Sequence, residues 1–365
     1  MMNINDLGFN GYFRSLFYEF EEQGFLPARV INEQKELYTV MMENGEIHAR
    51  VSGKFLHQAV VRSDFPAVSD WVAVTVEDDF AVIHAVIERK SSFSRNVAGS
   101  NKRKSGGITE EQIVAANIDT VFIVTGLDKN YNLRRIERYL TLAWNSGVSP
   151  VVILNKSDLC ENIEEIISEV ETVSPGVPVH AVSARENHIE TLKPYLIAGK
   201  TVALLGSSGV GKSTIVNVLL GKKIQSVNEI SDSVHKGRHT TTTRQLFLLD
   251  NGAMLIDTPG MREIQFWGEE ESISAVFEDI EDIMSKCRFS DCTHNGEPGC
   301  AIAKALETGE LDQGRYQNYL SLQAELALLE QRKTKSKQQM KKEWEKEIAK
   351  KVKEFNKSEK GKFGR

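Results

Sequence analysis

Between about Ala28 and Ile87 apolar and polar residues alternate in short runs, among them ELYTVMM, EIHARV, WVAVTV and FAVIHAVI. A period of two is that of a half-buried β-strand. Asn44-Gly45 between the first two runs predicts a hairpin, because both residues tolerate positive φ. At least four short strands without intervening helices predict a small barrel of the OB type, an architecture that often holds nucleic acid. A generic β-domain used for packing is the plainer alternative. From Ile118 the rhythm becomes strand, helix, strand, helix. Strand segments DTVFIVTG, PVVILNKSD, VPVHAVSA, TVALLGSSG and the pair RQLFLLD and AMLIDTPG are separated by helical patterns such as LRRIERYLTLAW. This alternation predicts a mainly parallel sheet with helices on both faces. Beyond Met261 the pattern is helical and acidic, passes a cysteine cluster, and ends in a long Lys/Glu-rich helix; no internal repeat is present.

The chain therefore divides into four expected parts, a multidomain α/β arrangement. Residues 1–95 hold an N-terminal extension and the barrel, 96–268 an α/β nucleotide domain, 269–330 a helical module, and 331–365 a basic helical tail. Residues 89–107 carry six Lys/Arg, no acid, and much Gly and Ser, which predicts a mobile basic linker. A length of 365 residues is ample for several cores.

GSSGVGKS at Gly206–Ser213 has the P-loop spacing, follows the apolar strand TVALL and opens the helical run KSTIVNVLLG. Glycines at Gly206, Gly209 and Gly211 let the backbone amides of the loop, from Gly206 through Ser207, Ser208, Val210 and Lys212 to Ser213 and Thr214, turn toward phosphate at a helix N-terminus. Lys212 is expected to neutralise the β and γ phosphates and Ser213 to bind Mg²⁺. DTPG, at the end of the strand AMLI, supplies Asp257 for Mg²⁺ and the Gly260 amide for the γ-phosphate. GRHTTTTR lies between the two motifs, and the Asn251-Gly252 hairpin folds its threonines back toward Asp257. Of Thr240–Thr243, Thr241 is the expected second hydroxyl ligand to Mg²⁺, on a loop that orders with γ-phosphate.

NKSD, Asn155–Asp158, follows the strand PVVIL. The Asp158 carboxylate can accept from guanine N1–H and N2–H₂, which adenine does not offer. Lys156 would cover the base, Ser157 completes the loop, and Asn155 would tie it to the P-loop. Ser183-Ala184, after VPVHAV, fits a loop whose backbone N–H meets guanine O6. GTP and GDP are thus the expected ligands, rather than the ATP of a kinase built on the same P-loop. The base motifs precede the phosphate motifs, the reverse of the usual order, but each follows a strand, so a site at the carboxyl ends of the strands survives the permutation.

NKSD, SA, GSSGVGKS, GRHTTTT and DTPG in this order resemble the circularly permuted GTPases. With the β-rich N-terminal part and the downstream cysteines, the chain resembles the ribosome small-subunit-dependent GTPase family, RsgA/YjeQ, over roughly residues 5–325. The resemblance implies GTP hydrolysis coupled to late maturation of the small ribosomal subunit and contact with its rRNA. The position after the DxxG glycine, where many GTPases carry a water-orienting Gln, is Met261. His239, beside the threonines, is the expected substitute, and the resemblance points to it as well. A GTP-dependent RNA-binding regulator with little intrinsic hydrolysis is the alternative reading.

Cys287, Cys292, His294 and Cys300 form C-x4-C-x-H-x5-C. Three thiolates and an imidazole can close a tetrahedral structural Zn²⁺ site; a disulfide would strand one cysteine. Cys160, alone after NKSDL, reads as a packed thiol. The cysteine pattern, an N-terminus without a basic region followed by an apolar run, and the lack of any membrane-length apolar stretch predict a soluble, cytoplasmic protein, expected as a monomer. The net charge of −6 hides an uneven distribution. Residues 331–365 hold 14 Lys+Arg against 5 Glu, so an acidic body carries a basic tail. In that tail Trp344, Ile348, Val352 and Phe355 recur at helical spacing among lysines, which predicts either a solvated helix or an RNA-anchoring arm.

Overall fold

A computed structural model of the chain describes residues 3–34, 37–98, 109–221, 244–257, 273–328 and 331. The threonine loop, His239, Gly260, Met261 and the basic tail lie outside the described residues.

The alternating N-terminal runs close into a barrel. β1 (Leu26–Gln34), β2 (Leu37–Met42), β3 (Gly45–Val51), β4 (Trp71–Glu77) and β5 (Phe80–Val86) pair in the order β1-β2-β3-β5-β4-β1, with β3 parallel to β5 and the other pairs antiparallel. This is the five-stranded OB topology. Its interior is filled by alternate residues, Ala28, Val30, Tyr38, Val40, Val72, Val74 and Ile83 among them. The β2–β3 hairpin forms as predicted but in a different register. Met42 pairs with Gly45, so Glu43 and Asn44 make the turn and only Gly45 takes a positive φ, at 112°.

Two elements escape the sequence pattern. Helix α1 (Gly11–Glu22) is capped by Asn10, whose Oδ1 accepts from the Tyr12 and Phe13 amides, and it buries Phe13 and Phe17 with Phe9 against Trp71. A short α2 (Gly53–Gln58) connects β3 toward β4. The supposed linker is in part a β-ribbon. β6 (Ser92–Ala98) pairs antiparallel with β7 (Thr109–Ala116), burying Phe93 and Ile113. The sequence pattern does not show it, because SFSRNV lacks a period-two apolar alternation and the buried Phe93 and Ser94 are neighbours across a register shift. β6 also spans the position expected as the first domain boundary.

The second sheet is β10-β9-β8-β11-β13-β12, from β8 (Thr120–Gly126), β9 (Ser149–Asn155), β10 (Val179–Val182), β11 (Thr201–Leu205), β12 (Arg244–Leu248) and β13 (Met254–Asp257). All neighbours are parallel except the β12–β13 hairpin. On one face lie α3 (Leu133–Asn145) and α4 (Ile163–Val173), and on the other α5 (Lys212–Leu219). Short helices α6 (Glu278–Met284) and α7 (Ala301–Thr308), with α8 over 313–328, pack Phe277, Ile280, Ile302, Tyr319 and Leu322 into the same core as Ile136 and Leu140 of α3. At the α3 contact Glu137 is fully buried and accepts from Arg315, Arg134 and Asn318.

β1 belongs to both sheets. It pairs with β4 over 26–29, shifts register near Val30, and then pairs with β12 at Asn32–Gln245 and Glu33–Arg244. Arg29 sits at this junction, fully buried. Its Nη2 donates to Ser69 Oγ and Thr201 Oγ1, both at 2.7 Å, its Nη1 donates to the Leu7 carbonyl, and the guanidinium lies 5.4 Å from the Trp71 ring centre. Burial pushes its pKa down to about 10, with Asp119 and Asp70 opposing, so it stays charged at neutral pH. Arg29→Met is expected to cost about 3 kcal/mol, because it strands buried acceptors in three segments. A lowered urea midpoint would register this, and an unchanged midpoint would refute it.

Candidate functional site

The carboxyl ends of β8, β9, β10, β11 and β13 share one edge of the sheet, and the predicted motifs fall on the loops that leave it. The P-loop runs from β11 into α5. Two of its glycines are dictated by close approach. A Cβ on Gly206 would lie 2.3 Å from the Val124 carbonyl oxygen, and one on Gly211, which has φ 97°, would lie 2.2 Å from Asn155 Nδ2. Ser207 is partly buried, Ser208 and Gly209 are exposed, and Val210 is buried and anchors the loop. Lys212 Nζ donates to the Gly206 and Ser207 carbonyls at 2.7 and 2.6 Å. Ser213 and Thr214 stand in the first turn of α5.

Asn155, at the end of β9, joins three motifs. Its Nδ2 donates to the Val210 carbonyl at 2.8 Å and its Oδ1 accepts from the Ala184 amide at 3.1 Å, with the side chain almost fully buried. The predicted tie between base loop and phosphate loop is therefore present. Asp158 Oδ1 accepts from Ser183 Oγ at 2.7 Å, which orients the carboxylate, and Ser157 begins the short 3-10 turn that carries it. The Ser183 amide donates to the His188 carbonyl, so Ser183 and Ala184 both use their amides within the protein. Asp257 ends β13, next to β11 in the sheet, so its backbone reaches the same edge as the P-loop. His239, Thr241 and Gly260 lie outside the described residues.

A third wall was not anticipated. The loop after β8 places Asp128 Oδ2 2.5 Å from Lys156 Nζ. Burial pushes the Asp128 carboxyl up, but the Lys156 hydrogen bond and charge and the Asn130 amide outweigh it, leaving its pKa below the usual carboxylate value. Lys156 itself adopts φ 65° and is thereby fixed at both ends. One turn into α3, Arg135 Nη1 donates to Ser207 Oγ and to the Asn130 carbonyl, each at 3.2 Å. No motif marks these residues. The available signal was topological, since any loop leaving a parallel strand on this edge is a candidate.

The family model described as RsgA GTPase matches residues 86–267. The chain is 45% identical over 338 residues to the small ribosomal subunit biogenesis GTPase RsgA of Opitutus terrae, covering 89% of this chain and 90% of that protein. The chain belongs to the RsgA GTPase family. RsgA 1 of Oceanobacillus iheyensis is 41% identical over 350 residues, covering 94% and 97%. The crystal structure of YjeQ from Thermotoga maritima matches with a TM-score of 0.59 at 29% identity, over 83% of this chain and 99% of that one. YloQ, titled a circularly permuted GTPase, shares the fold at 23% identity and a TM-score of 0.57. A second family model, ABC transporter, matches residues 189–358. That stretch includes the strand, P-loop and helix but neither NKSD nor Ser183-Ala184.

This RsgA-family chain also has a Cys3His cluster that could hold a metal ion. The ligand atoms of Cys287, Cys292, His294 and Cys300 all lie within 4.8 Å of one another, and His294 Nδ1 is 3.6 Å from both Cys287 Sγ and Cys300 Sγ. Zn–S of about 2.3 Å and Zn–N of about 2.0 Å give a tetrahedral S···N edge of about 3.5 Å, close to the 3.6 Å observed, so these donors fit zinc. The Ala301 amide donates to Cys287 Sγ and the Ala303 amide to Cys300 Sγ. Glu297 accepts from the Thr293 and Asn295 amides and folds the ligand loop. Among the described residues no helix is long and apolar enough to cross a membrane.

Proposed function

We propose that this GTPase acts in maturation of the small ribosomal subunit, binding the subunit and its rRNA as a cytoplasmic monomer. The observation that carries the guanine site is the Asn155 tie, which makes one cradle of the NKSD, Ser183-Ala184 and P-loop segments. The ribosomal target is supported by the relatives at 41–45% identity, which are small ribosomal subunit biogenesis GTPases.

In this reading the loop amides from Gly206 to Thr214 and the Lys212 ammonium hold the phosphates. Asp158 reads guanine N1–H and N2–H₂, with Ser183 Oγ fixing its second degree of freedom. Because the Ser183 and Ala184 amides are engaged, guanine O6 falls to the Arg185 amide, which has no partner among the described residues. Mg²⁺, held by Ser213, Asp257 and Thr241, would neutralise charge on the transferred phosphoryl group. One structural Zn²⁺ on Cys287, Cys292, His294 and Cys300 would hold the C-terminal module. His239 would orient the attacking water in place of the absent glutamine. The barrel and the basic tail would supply rRNA contacts.

Phosphate release is measured with and without purified small subunits, with Lys212→Ala as background. Stimulation by subunits is the expected result; GTP binding with no stimulated release would favour the GTP-dependent regulator, a reading that Met261 at the usual glutamine position keeps in play. His239→Ala is expected to lower the stimulated rate by about 100-fold, the lower end for a positioned acid–base group. An unchanged stimulated rate would remove His239 from catalysis.

A further inference from the structure

The C-terminal module and the phosphate loop both grip α3. Arg134, Glu137 and Arg138 share one face of that helix, and at 3.6 residues per turn Arg135 lies beside that face, about 100° around the axis from Arg134 and about 60° from Arg138. The module holds the first face. Glu137 accepts from Arg315 Nη1 at 2.7 Å and from Asn318 Nδ2 at 2.6 Å, and Arg138 makes a two-bond pair with Glu325 at 2.5 and 2.9 Å. Arg134 also reaches Asp312. Arg315 is itself fixed by Asp279 through two hydrogen bonds, by the Val276 carbonyl, and by the Phe277 ring, 4.8 Å away. Pulling the module from α3 would break the Arg315 and Asn318 bonds to Glu137 and leave Arg134 of the same helix as its partner, so the module is tied to α3 by hydrogen-bonded charge pairs whose loss is costly.

The phosphate loop holds the second face. Arg135 Nη1 bridges Ser207 Oγ of the P-loop and the Asn130 carbonyl, and Asn130 is bonded through its amide to Asp128, the partner of Lys156. A shift of α3 is therefore felt by the phosphate cradle and by the base loop at once.

We propose that Arg135 is a positioning residue for the phosphate loop, through which α3 couples the placement of the C-terminal module to nucleotide state. The proposal rests on the GTPase reading and adds a route to it. It lies on the α3 side of the site and uses no residue of the threonine or DTPG loops. Docking of the module on a partner would change nucleotide preference, and by reciprocity nucleotide exchange would change module docking.

The test is a double-mutant cycle on the full zinc-loaded chain. Affinities for fluorescent GDP and for a non-hydrolysable GTP analogue are measured in wild type, Arg138→Ala, Arg135→Ala and the double variant. Arg138 pairs with Glu325 at the partly exposed rim, so its removal loosens the module without uncovering Glu137. Arg138→Ala is expected to change the ratio of the two affinities about five-fold or more in the wild-type background, the low end of allosteric coupling. In the Arg135→Ala background the same change should move the ratio by less than about two-fold, since the contact that carries the coupling is gone. Arg135→Lys, which keeps the charge and a donor, should restore part of the shift and covers the case in which the alanine variant folds poorly. Equal shifts in both backgrounds, or no shift in wild type, would overturn the proposal. A wild-type chain that bound neither nucleotide would instead overturn the GTPase reading beneath it.

Discussion

Replacing Asp158 with asparagine is expected to lower affinity for GTP by about 10⁴-fold and to transfer preference to xanthosine triphosphate. A carboxylate offers two acceptors, which match the N1–H and N2–H₂ donors of guanine. An amide offers one acceptor and one donor. Against guanine the new N–H₂ faces another N–H₂, and both groups lose their partners where the bound base lies against them, so the cost is that of unpaired polar groups. Xanthine carries a carbonyl where guanine has the amino group and keeps N1–H, so the amide satisfies both positions. Ser183 Oγ, 2.7 Å from Asp158 Oδ1, retains an acceptor in the variant and holds the side chain in place. Competition of labelled GTP by each triphosphate measures the swap. A variant within about ten-fold of wild type for GTP would exclude Asp158 as the base reader.

Removal of zinc is expected to unfold the C-terminal module. Structural zinc in small modules supplies about 10–16 kcal/mol of apparent binding free energy at neutral pH, as large as the whole stability of a typical domain. Between Cys287 and Cys300 the chain is turns and bends, with Gly296, Gly299 and His294 at positive φ, and helices α6 and α7 on either side are about two turns each. Glu297 and a few backbone bonds shape this segment, and Ile280, Ile302, Tyr319 and Leu322 tie the flanking helices to α3, but only a metal would join its four ligands. Metal analysis should give one zinc per chain. After chelation, or in Cys292→Ser, amide exchange over 273–328 should rise by orders of magnitude while β8–β11 remain protected. Unchanged protection would mean that the apolar contacts suffice and that the four side chains are not a structural site.

Much of this was legible in the sequence, and the reasons differ by element. Alternation exposed barrel strands such as β2 because one face is wetter, its Tyr38, Val40 and Met42 being buried between more exposed neighbours, whereas β4 is buried on both faces over Trp71–Val74. The central parallel strands read as apolar blocks because both faces are covered. The nucleotide motifs were readable because backbone approach demands glycine, as the contacts at Gly206 and Gly211 show. Asn155 was correctly assigned as a tie since a short amide is the natural link between two backbones. Helix α1 was missed although Phe13, Phe17 and Phe20 recur at helical spacing, because without knowing of Trp71 there is no surface to bury them on. The wall formed by Asp128, Asn130 and Arg135 was missed for a related reason. Its meaning lies in contacts with residues 28 and 72 positions away, which no local pattern encodes.

The strand shared by barrel and GTPase sheet has a further consequence. Without β1, β12 would be an outermost strand with a row of unpaired N–H and C=O groups, the kind of surface that templates pairing with a second chain. β1 covers part of that row at Asn32 and Glu33, and its own opposite side is covered by β2. A GTPase domain cut free of its barrel would therefore carry a sticky flank, as would the severed barrel beside Asn32. The barrel thus serves as a built-in guard against self-association, and the two halves are better inherited together than recombined.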